Sequence, residues 1–241
     1  MATTGLDGIS VITSTIRKSC TLQIISNFMK QKFAHKELII VINNDEMQPS
    51  DFKLSEEMQK SIHIYQLPSC ETLGQCLNMG IEKAKYNYIA KFDDDDYYSK
   101  LYLEEMYGAF KREACDVVCK RSIFYYLEGH RELVLLSASG QNKRVTKGAG
   151  ATIGARRDIF NSIQFEKLKV GTDSHFFKKC LQYGLKCYST SSYNYLCFRG
   201  KEVKQHTWLI TEDEIKNNCL RCFSKPMSYV EACEFVSYYK K

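Results

Sequence analysis

The feature that most restricts the fold of this chain is a continuous apolar run at residues 37–43, Glu-Leu-Ile-Ile-Val-Ile-Asn. A run with no polar residue at alternate positions is typical of a strand that is buried on both faces. Such a strand needs helices on both sides of its sheet. Strand and helix candidates do alternate along the first half, at residues 9–13, 18–31, 37–43, 62–65, 70–85 and 86–92. The pattern predicts an α/β fold with a mostly parallel, Rossmann-like central sheet flanked by helices.

The second half is less regular. With 241 residues the chain can form one large α/β domain or two small ones. Helix candidates lie at 102–112 and 173–184, and a Gly-, Ser- and Lys-rich loop lies at 137–155. The last 31 residues hold two short helix candidates separated by a Lys-Pro pair. We therefore predict one main α/β domain over residues 1–210 and a helical C-terminal extension over 211–241.

The composition of the chain argues against several classes of protein, among them disulfide-bonded, membrane-spanning and nucleic-acid-binding proteins. The 11 cysteines are scattered without a disulfide-like pattern, which favours reduced thiols and a cytoplasmic location. The first residues lack the basic region and the long apolar stretch that are typical of a signal peptide, and no apolar run reaches the length that spans a bilayer. The net charge of +6 is modest, and no basic stripe with interleaved aromatic residues indicates nucleic acid.

Four consecutive carboxylates, Asp93 to Asp96, follow the strand candidate at 86–92. A solvated acidic loop is the ordinary interpretation of such a run. However, ligands of open α/β sheets bind at the carboxyl ends of strands, where these acids lie. Two carboxylates roughly 5 Å apart repel by about 3 kcal/mol at an effective dielectric near 20. A partly buried cluster therefore favours a cation, and oxygen ligands suit Mg²⁺ or Mn²⁺ bridged to a phosphate.

The stretch LGQCLNMGIEKAKYNYIAKFDDDDYY at 73–98 resembles the core signature of family 2 glycosyltransferases, which have the GT-A fold. In that family a Leu-Gly pair precedes an Asn-x-Gly-Ile helix, and a strand then leads into an Asp-x-Asp motif followed by Asp and paired aromatic residues. The matching residues are Leu73, Gly74, Asn78, Gly80, Ile81, Asp93, Asp94, Asp95, Asp96, Tyr97 and Tyr98. Carried over, Asp93 faces the nucleotide ribose, Asp95 holds the metal on the diphosphate, and Asp94 shares either task.

The resemblance implies further donor contacts. Thr13, Thr15 and Arg17 follow the first strand, where the family grips the nucleotide, although Thr15 could simply cap the next helix. Asn78 of the signature is counted among the substrate-binding residues. At residues 43–45 the chain has Asn-Asn-Asp where similar enzymes read uracil with an Asp pair. We place Asn44 at the base and leave the identity of the base open, with a UDP-sugar favoured.

The segment VGTDSHFFKKCLQYG at 170–184 resembles the family's Glu-Asp motif, with Thr172 in place of Glu and Asp173 retained. The resemblance makes Asp173 the catalytic base that takes the proton of an acceptor hydroxyl, in a single displacement that inverts the anomeric carbon. Capping of a helix is the alternative for a Thr-Asp pair. Later in the chain, His206 is a candidate metal ligand, and Arg199 a candidate contact to the phosphates.

Together these observations predict a metal-dependent inverting glycosyltransferase that uses a nucleotide-diphospho-sugar. The acceptor could be a carbohydrate, a lipid or a protein, with surface or spore polysaccharide as one setting, and a homo-oligomer is one option for the assembly. A nucleotidyltransferase is an alternative, but it needs a Gly-rich loop after the first strand, and TSTIRKSC at 13–20 has no glycine. A non-catalytic nucleotide-sugar-binding protein is a second alternative.

Overall fold

The structure is a computed structural model that describes residues 6–136, 138–168, 170–201, 209–223 and 225–237. The strands are Leu6–Thr15 (β1), Lys36–Ile42 (β2), Ile62–Gln66 (β3), Tyr86–Lys91 (β4), Tyr97–Tyr98 (β5), Val117–Cys119 (β6), Ile123–Leu127 (β7), Glu132–Leu136 (β8), Lys143–Arg144 (β9), Gly154–Arg156 (β10), Cys187–Ser189 (β11), Tyr195–Arg199 (β12) and Arg221–Phe223 (β13). The helices are Thr21–Met29 (α1), Glu56–Gln59 (α2), Leu73–Lys83 (α3), Tyr102–Glu113 (α4), Thr172–Gln182 (α5), Glu212–Asn217 (α6) and Tyr229–Ser237 (α7).

The main sheet has the order β3-β2-β1-β4-β10-β6-β11-β9. Its first four strands run parallel, with Val11 of β1 opposite Leu38 of β2 and Ala90 of β4. Strand β10 then runs antiparallel to both β4 and β6, and β11 is parallel to β6. The predicted mostly parallel, helix-flanked sheet is therefore confirmed, with antiparallel pairings in the half built from the later chain.

Helices cover both faces of this sheet, as the apolar run of β2 predicts. Ile40 of β2 belongs to the buried cluster that contains residues of α1 and α4. Ile39, its neighbour in sequence, belongs to the cluster that contains residues of α3 and α5. Full burial of one such aliphatic side chain contributes about 1.5–3 kcal/mol, so a strand that buries both faces anchors the fold. The close approach of α3 to β1 depends on Gly80, since a Cβ there would overlap Ile12.

A second sheet has the order β13-β8-β7-β12-β5. The hairpin of β7 and β8 lies in a part of the sequence for which no element was predicted. Helix α7 packs on this sheet and buries Ala232 and Val236 against a cluster that includes Phe124 and Leu196. The two helices predicted in the C-terminal extension are confirmed, whereas β13, which pairs with β8, was not predicted. Among the described residues, no helix is long and apolar enough to cross a membrane.

Candidate active site

The acid loop, residues 93–96, connects the two sheets. It follows β4 of the main sheet and leads into β5, which pairs with β12 of the second sheet. The buried Tyr98 fixes the loop, because its hydroxyl accepts a hydrogen bond from the Asp93 backbone N–H at 2.7 Å and donates one to the Ala151 carbonyl at 2.7 Å. The ring of Tyr98 stacks on Phe92 at a centroid distance of 3.7 Å. The chain thus holds the acid loop and the loop around residue 151 against each other.

Asp94 is buried and bound by the end of β1. The Thr15 hydroxyl donates to Asp94 Oδ2 at 2.6 Å, and Arg17 Nε donates to the same oxygen at 3.1 Å. Arg17 Nη2 donates to the second oxygen, which completes a bidentate ion pair. Thr15 also accepts the Arg17 backbone N–H at 3.0 Å. Two of the residues predicted at the donor site are therefore brought to the acid loop by their contact with Asp94.

Asp95 shares the same guanidinium. Arg17 Nη1 lies 3.0 Å from Asp95 Oδ2, so one arginine spans two successive carboxylates of the loop. Burial raises the pKa of the Asp95 carboxyl, and the charge of Asp94 adds to this effect while Arg17 opposes it. The carboxylate of Asp95 is thus only partly compensated by the protein, which is the condition under which a further cation binds there favourably.

Asp96 faces the protein interior. Its carboxylate accepts hydrogen bonds from the Tyr195 hydroxyl and, at 3.0 Å, from the Phe198 backbone N–H, both on β12. Burial raises the pKa of Asp96 well above its ordinary value. The last acid of the run therefore joins the loop to the second sheet, and its carboxylate is engaged by the protein.

Lys91, the last residue of β4, is a functional candidate that the sequence analysis missed. Its side chain is 7 % exposed, and its ammonium forms an ion pair with Asp93 Oδ1. Burial alone would lower the pKa of Lys91, but the charges of Asp93 and Asp173 outweigh that effect and raise it. The sequence signal was a lysine at the end of a mostly apolar strand, two residues before the first of the acids.

Asp173 occupies the first turn of α5, next to Thr172. Its carboxylate lies against Gly150, where a Cβ would fall 2.8 Å from Asp173 Cβ and closer still to the carboxylate. The helix N-terminus favours a negative charge at this position. Thr172 is buried, and its hydroxyl has no hydrogen-bond partner among the described residues. The structure therefore brings the predicted base and the Gly-rich loop into contact.

Other predicted site residues make contacts within the protein. The Asn44 amide donates to the Ile16 carbonyl at 2.9 Å and accepts the Glu46 N–H at 2.8 Å. The Asn78 amide bonds both the carbonyl and the N–H of Phe165, at 2.9 and 3.0 Å. These contacts shape the loops around the site, and the substrate roles of both amides stay predictions.

Three further residues complete the set. Thr13 is buried in β1, and its hydroxyl has no partner in the part of the chain that the structure describes. Arg199 is buried in β12 and donates from Nη2 to the Ile210 carbonyl at 2.6 Å. His206, the second predicted metal ligand, lies outside the described residues. The structure thus gathers Thr15, Arg17, Asp93, Asp94 and Asp95 at the acid loop. The Gly-rich loop, held to the acid loop by Tyr98, places Gly150 against Asp173.

The sequence pattern of glycosyl transferase family 2 matches residues 10–171, which contain most of β1, all of β2 to β4 and the acid loop. The chain belongs to glycosyl transferase family 2. The match ends immediately before α5, so Asp173 lies just beyond it.

Solved structures of two proteins have a similar fold. S. aureus TarS 1–349 in complex with UDP-GlcNAc superimposes with a TM-score of 0.68 at 18 % identity, over 87 % of this chain and 64 % of that protein. The mannosyltransferase PcManGT from Pyrobaculum calidifontis, in complex with GDP-Man and Mn²⁺, superimposes with a TM-score of 0.61 at 13 % identity, over 83 % of this chain and 58 % of that protein. The chain therefore has the GT-A fold and spans less than two thirds of the length of these neighbours. No curated protein has a sequence that matches it.

The family 2 site can be tested for its fit to a divalent cation. The charges of four carboxylates, those of Asp93, Asp94, Asp95 and Asp173, are only partly offset by two positive groups, the Arg17 guanidinium and the Lys91 ammonium. When all six groups are ionised, two negative charges remain, which is the charge that one divalent cation neutralises. No three His, Cys, Asp or Glu side chains converge as a complete metal site among the described residues. The donor set therefore fits an ion that is held by one or two carboxylates and completed by phosphate and water.

Proposed function

We propose that this chain is a metal-dependent inverting glycosyltransferase that moves a sugar from a nucleotide-diphospho-sugar to an acceptor hydroxyl. The observation that carries the proposal is that the Gly-rich loop lies against both the acid loop and Asp173, because Tyr98 bonds both Asp93 and Ala151 and the Asp173 carboxylate lies against Gly150. The carboxylates of the acid loop can then bind the donor, while the carboxylate of Asp173 accepts the proton of the acceptor hydroxyl. Family membership and the fold of nucleotide-sugar-bound neighbours support the same function.

On the donor side, Asp95 offers the carboxylate oxygen for Mn²⁺ or Mg²⁺, and Asp93 faces the ribose. The metal, when bound, supplies positive charge to the diphosphate as it leaves. Arg17 spans Asp94 and Asp95, so it keeps two carboxylates oriented toward the same place. A UDP-sugar is the favoured donor, although one neighbour binds GDP-Man and the amide of Asn44 can pair with either kind of base edge.

On the acceptor side, Asp173 takes the proton of the attacking hydroxyl. The oxygen then bonds to the anomeric carbon as the bond to the diphosphate breaks on the opposite side, and the configuration inverts. The partial exposure of Asp173 at the start of α5 leaves its carboxylate reachable by an acceptor. The acceptor belongs to the carbohydrate, lipid or protein classes, and a role in surface or spore polysaccharide synthesis is one form of this proposal.

The direct test is release of a nucleoside diphosphate from a panel of UDP- and GDP-sugars in Mn²⁺, with and without mixed sugar acceptors. Turnover of at least one donor, enhanced by an acceptor, is expected. Binding of a donor without turnover would favour a nucleotide-sugar-binding protein instead. Release of pyrophosphate from a nucleoside triphosphate and a sugar phosphate would identify a nucleotidyltransferase. Failure to bind any nucleotide sugar would overturn the proposal.

A further inference from the structure

The turn between α6 and β13 carries a pair of cysteines, Cys219 and Cys222, whose thiols face each other. Their Sγ atoms lie 2.8 Å apart, in a thiol–thiol hydrogen bond. Both cysteines are free; Cys222 is exposed and Cys219 is half-buried. Two sulfurs this close need only small rotations of their side chains to form a disulfide. The pair lies beyond the residues that the family pattern covers, and the proposed transfer reaction does not use it.

The surrounding backbone fixes the positions of both cysteines. Cys222 lies on β13 opposite Val134 of β8. Between the two cysteines, the N–H of Leu220 donates to the Leu135 carbonyl at 2.9 Å. Cys219 packs against the same buried cluster as α1 and α4. The two sulfurs are therefore close because β13 pairs with β8 and the end of α6 packs on the core.

We propose that Cys219 and Cys222 form a reversible redox site, which a low-molecular-weight disulfide oxidises to an intramolecular disulfide. The thiolate of the exposed Cys222 attacks the small disulfide, whose S–S bond breaks and releases one small thiol. The Cys219 sulfur then attacks Cys222 Sγ in the mixed disulfide and expels the second small thiol. The two protein thiols lose two electrons and two protons, and the small disulfide gains both.

The two cysteines differ in the way that this order of steps requires. Cys222 is exposed and meets a small disulfide first. Burial, together with the hydrogen bond to Cys222, raises the pKa of Cys219 to about 11, so Cys219 stays a thiol at neutral pH. Once Cys222 carries the adduct, its own charge is gone, and the adjacent Cys219 can ionise and attack. Exchange with reduced small thiols regenerates both cysteines in a reducing compartment.

The test treats the folded, reduced protein with oxidised glutathione, blocks the remaining thiols and maps tryptic peptides without reduction. Arg221 lies between the two cysteines, so trypsin separates residues 217–221 from residues 222–240. The intramolecular disulfide should join these two peptides, and dithiothreitol should release them. Absence of the linked peptides from the wild-type digest would overturn the proposal. Linked peptides that persist in Cys222→Ser would assign the bond to Cys233 and would overturn it equally.

Cys219→Ser tests the order of the steps. Without the second thiol, the exposed Cys222 should retain the glutathione adduct, which the wild-type protein should not accumulate. Cys70 is the matched control, because it is an exposed thiol in the turn before α3, outside the pair. It should carry the adduct to the same extent in the wild-type protein and in both variants. A glutathione adduct that persists at Cys222 of the wild-type protein would contradict the proposal.

Discussion

The carboxylate of Asp173 lies directly against the backbone of Gly150. A Cβ at residue 150 would fall 2.8 Å from Asp173 Cβ and closer still to the carboxylate, a separation that a side chain cannot have. The proposed base and the Gly-rich loop therefore fit together only because residue 150 has no side chain. Glycine is required at position 150 because the Asp173 side chain lies so close, and not because the backbone there adopts a conformation that favours glycine.

Gly150→Ala should displace the Asp173 carboxylate and lower acceptor-dependent transfer by roughly 10²-fold, as expected for a misplaced reacting group. Donor affinity, measured by thermal shift in Mn²⁺, should change little. Gly148→Ala is the matched control, because its Cβ would approach Cys119 Cβ at 2.7 Å instead of Asp173. It should lower the melting temperature and leave the turnover of the folded protein largely intact. Full transfer by Gly150→Ala would contradict the placement of the base.

A nucleoside diphosphate should stabilise the protein only when a divalent cation is present. The site carries two negative charges beyond those that Arg17 and Lys91 neutralise, so a free diphosphate is repelled. The measurement is the melting temperature with UDP or GDP in Mn²⁺, Mg²⁺ or EDTA. Equal stabilisation in EDTA would show that the diphosphate binds without the metal.

Asp95→Asn should abolish transfer and the metal-dependent stabilisation by donor, while the fold stays intact. Burial and the charge of Asp94 raise the pKa of the Asp95 carboxyl, so the ionised form of Asp95 is destabilised when no metal is bound. The melting temperature in EDTA should therefore be unchanged or higher. Asp158→Asn, which breaks an ion pair with Arg156 outside the site, is the control and should stay active. An active Asp95→Asn protein would remove Asp95 from the metal site.

Asp173→Asn separates a base from a residue that only stabilises the start of α5. As a base, Asp173 acts only on the acceptor, so the change should lower transfer by roughly 10²- to 10⁴-fold and leave donor and metal affinity nearly unchanged. Gly171 is the N-cap of α5 and no side chain caps the helix, so Asp173 could otherwise support the helix only through its charge in the first turn, and Asn would then replace it with little effect on transfer. Transfer, donor affinity and melting temperature of the variant are measured together. Near-wild-type transfer would eliminate the base, and loss of donor binding would place Asp173 in the donor site.

Asp96→Asn should raise stability at high pH in EDTA. Burial raises the pKa of Asp96 well above its ordinary value of 3.8, so the folded protein binds this proton more tightly than the unfolded chain does. The stabilising contribution of the group is complete below pH 3.8 and is lost as pH rises through the folded value. Asparagine cannot ionise and keeps an oxygen for the Phe198 N–H. The variant should therefore melt higher than wild type at pH 8 and show a diminishing advantage toward pH 4, and a constant difference would contradict the assignment.

The elements that were predicted correctly are those whose own sequence shows a periodic pattern of apolar residues. The helix predicted at 102–112 is α4, and the helix expected to stop at Gly184 is α5, where Gly184 adopts a φ of +66°. Three strands of the second sheet were missed because β5, β12 and β13 pair with strands far along the chain. Strand β5 has two residues, too few for a pattern, and Phe124 and Tyr126 of β7 are buried in a cluster that α7 helps to form.

Within the candidate site, too, some residues could be predicted from the sequence and others could not. The acid loop could be predicted because strand, carboxylates and aromatic residues are contiguous in the sequence. Lys91 could not, because a lysine within a strand ordinarily reaches solvent, and only the fold shows that this one is buried and paired with Asp93. Asn44 and Asn78 show the opposite case, since their amides bond the protein backbone and the sequence alone cannot distinguish such contacts from contacts with substrate.

The attachment of Asp96 to β12 has a consequence for protein engineering. The family pattern covers residues 10–171, yet Tyr195 and Phe198, which hold the last acid of the loop, lie beyond it. A fragment cut at the end of that pattern would retain the aspartates and lose the strand that anchors them. Chimeras designed to exchange donor specificity between relatives should therefore take the acid loop and β12 from the same parent protein.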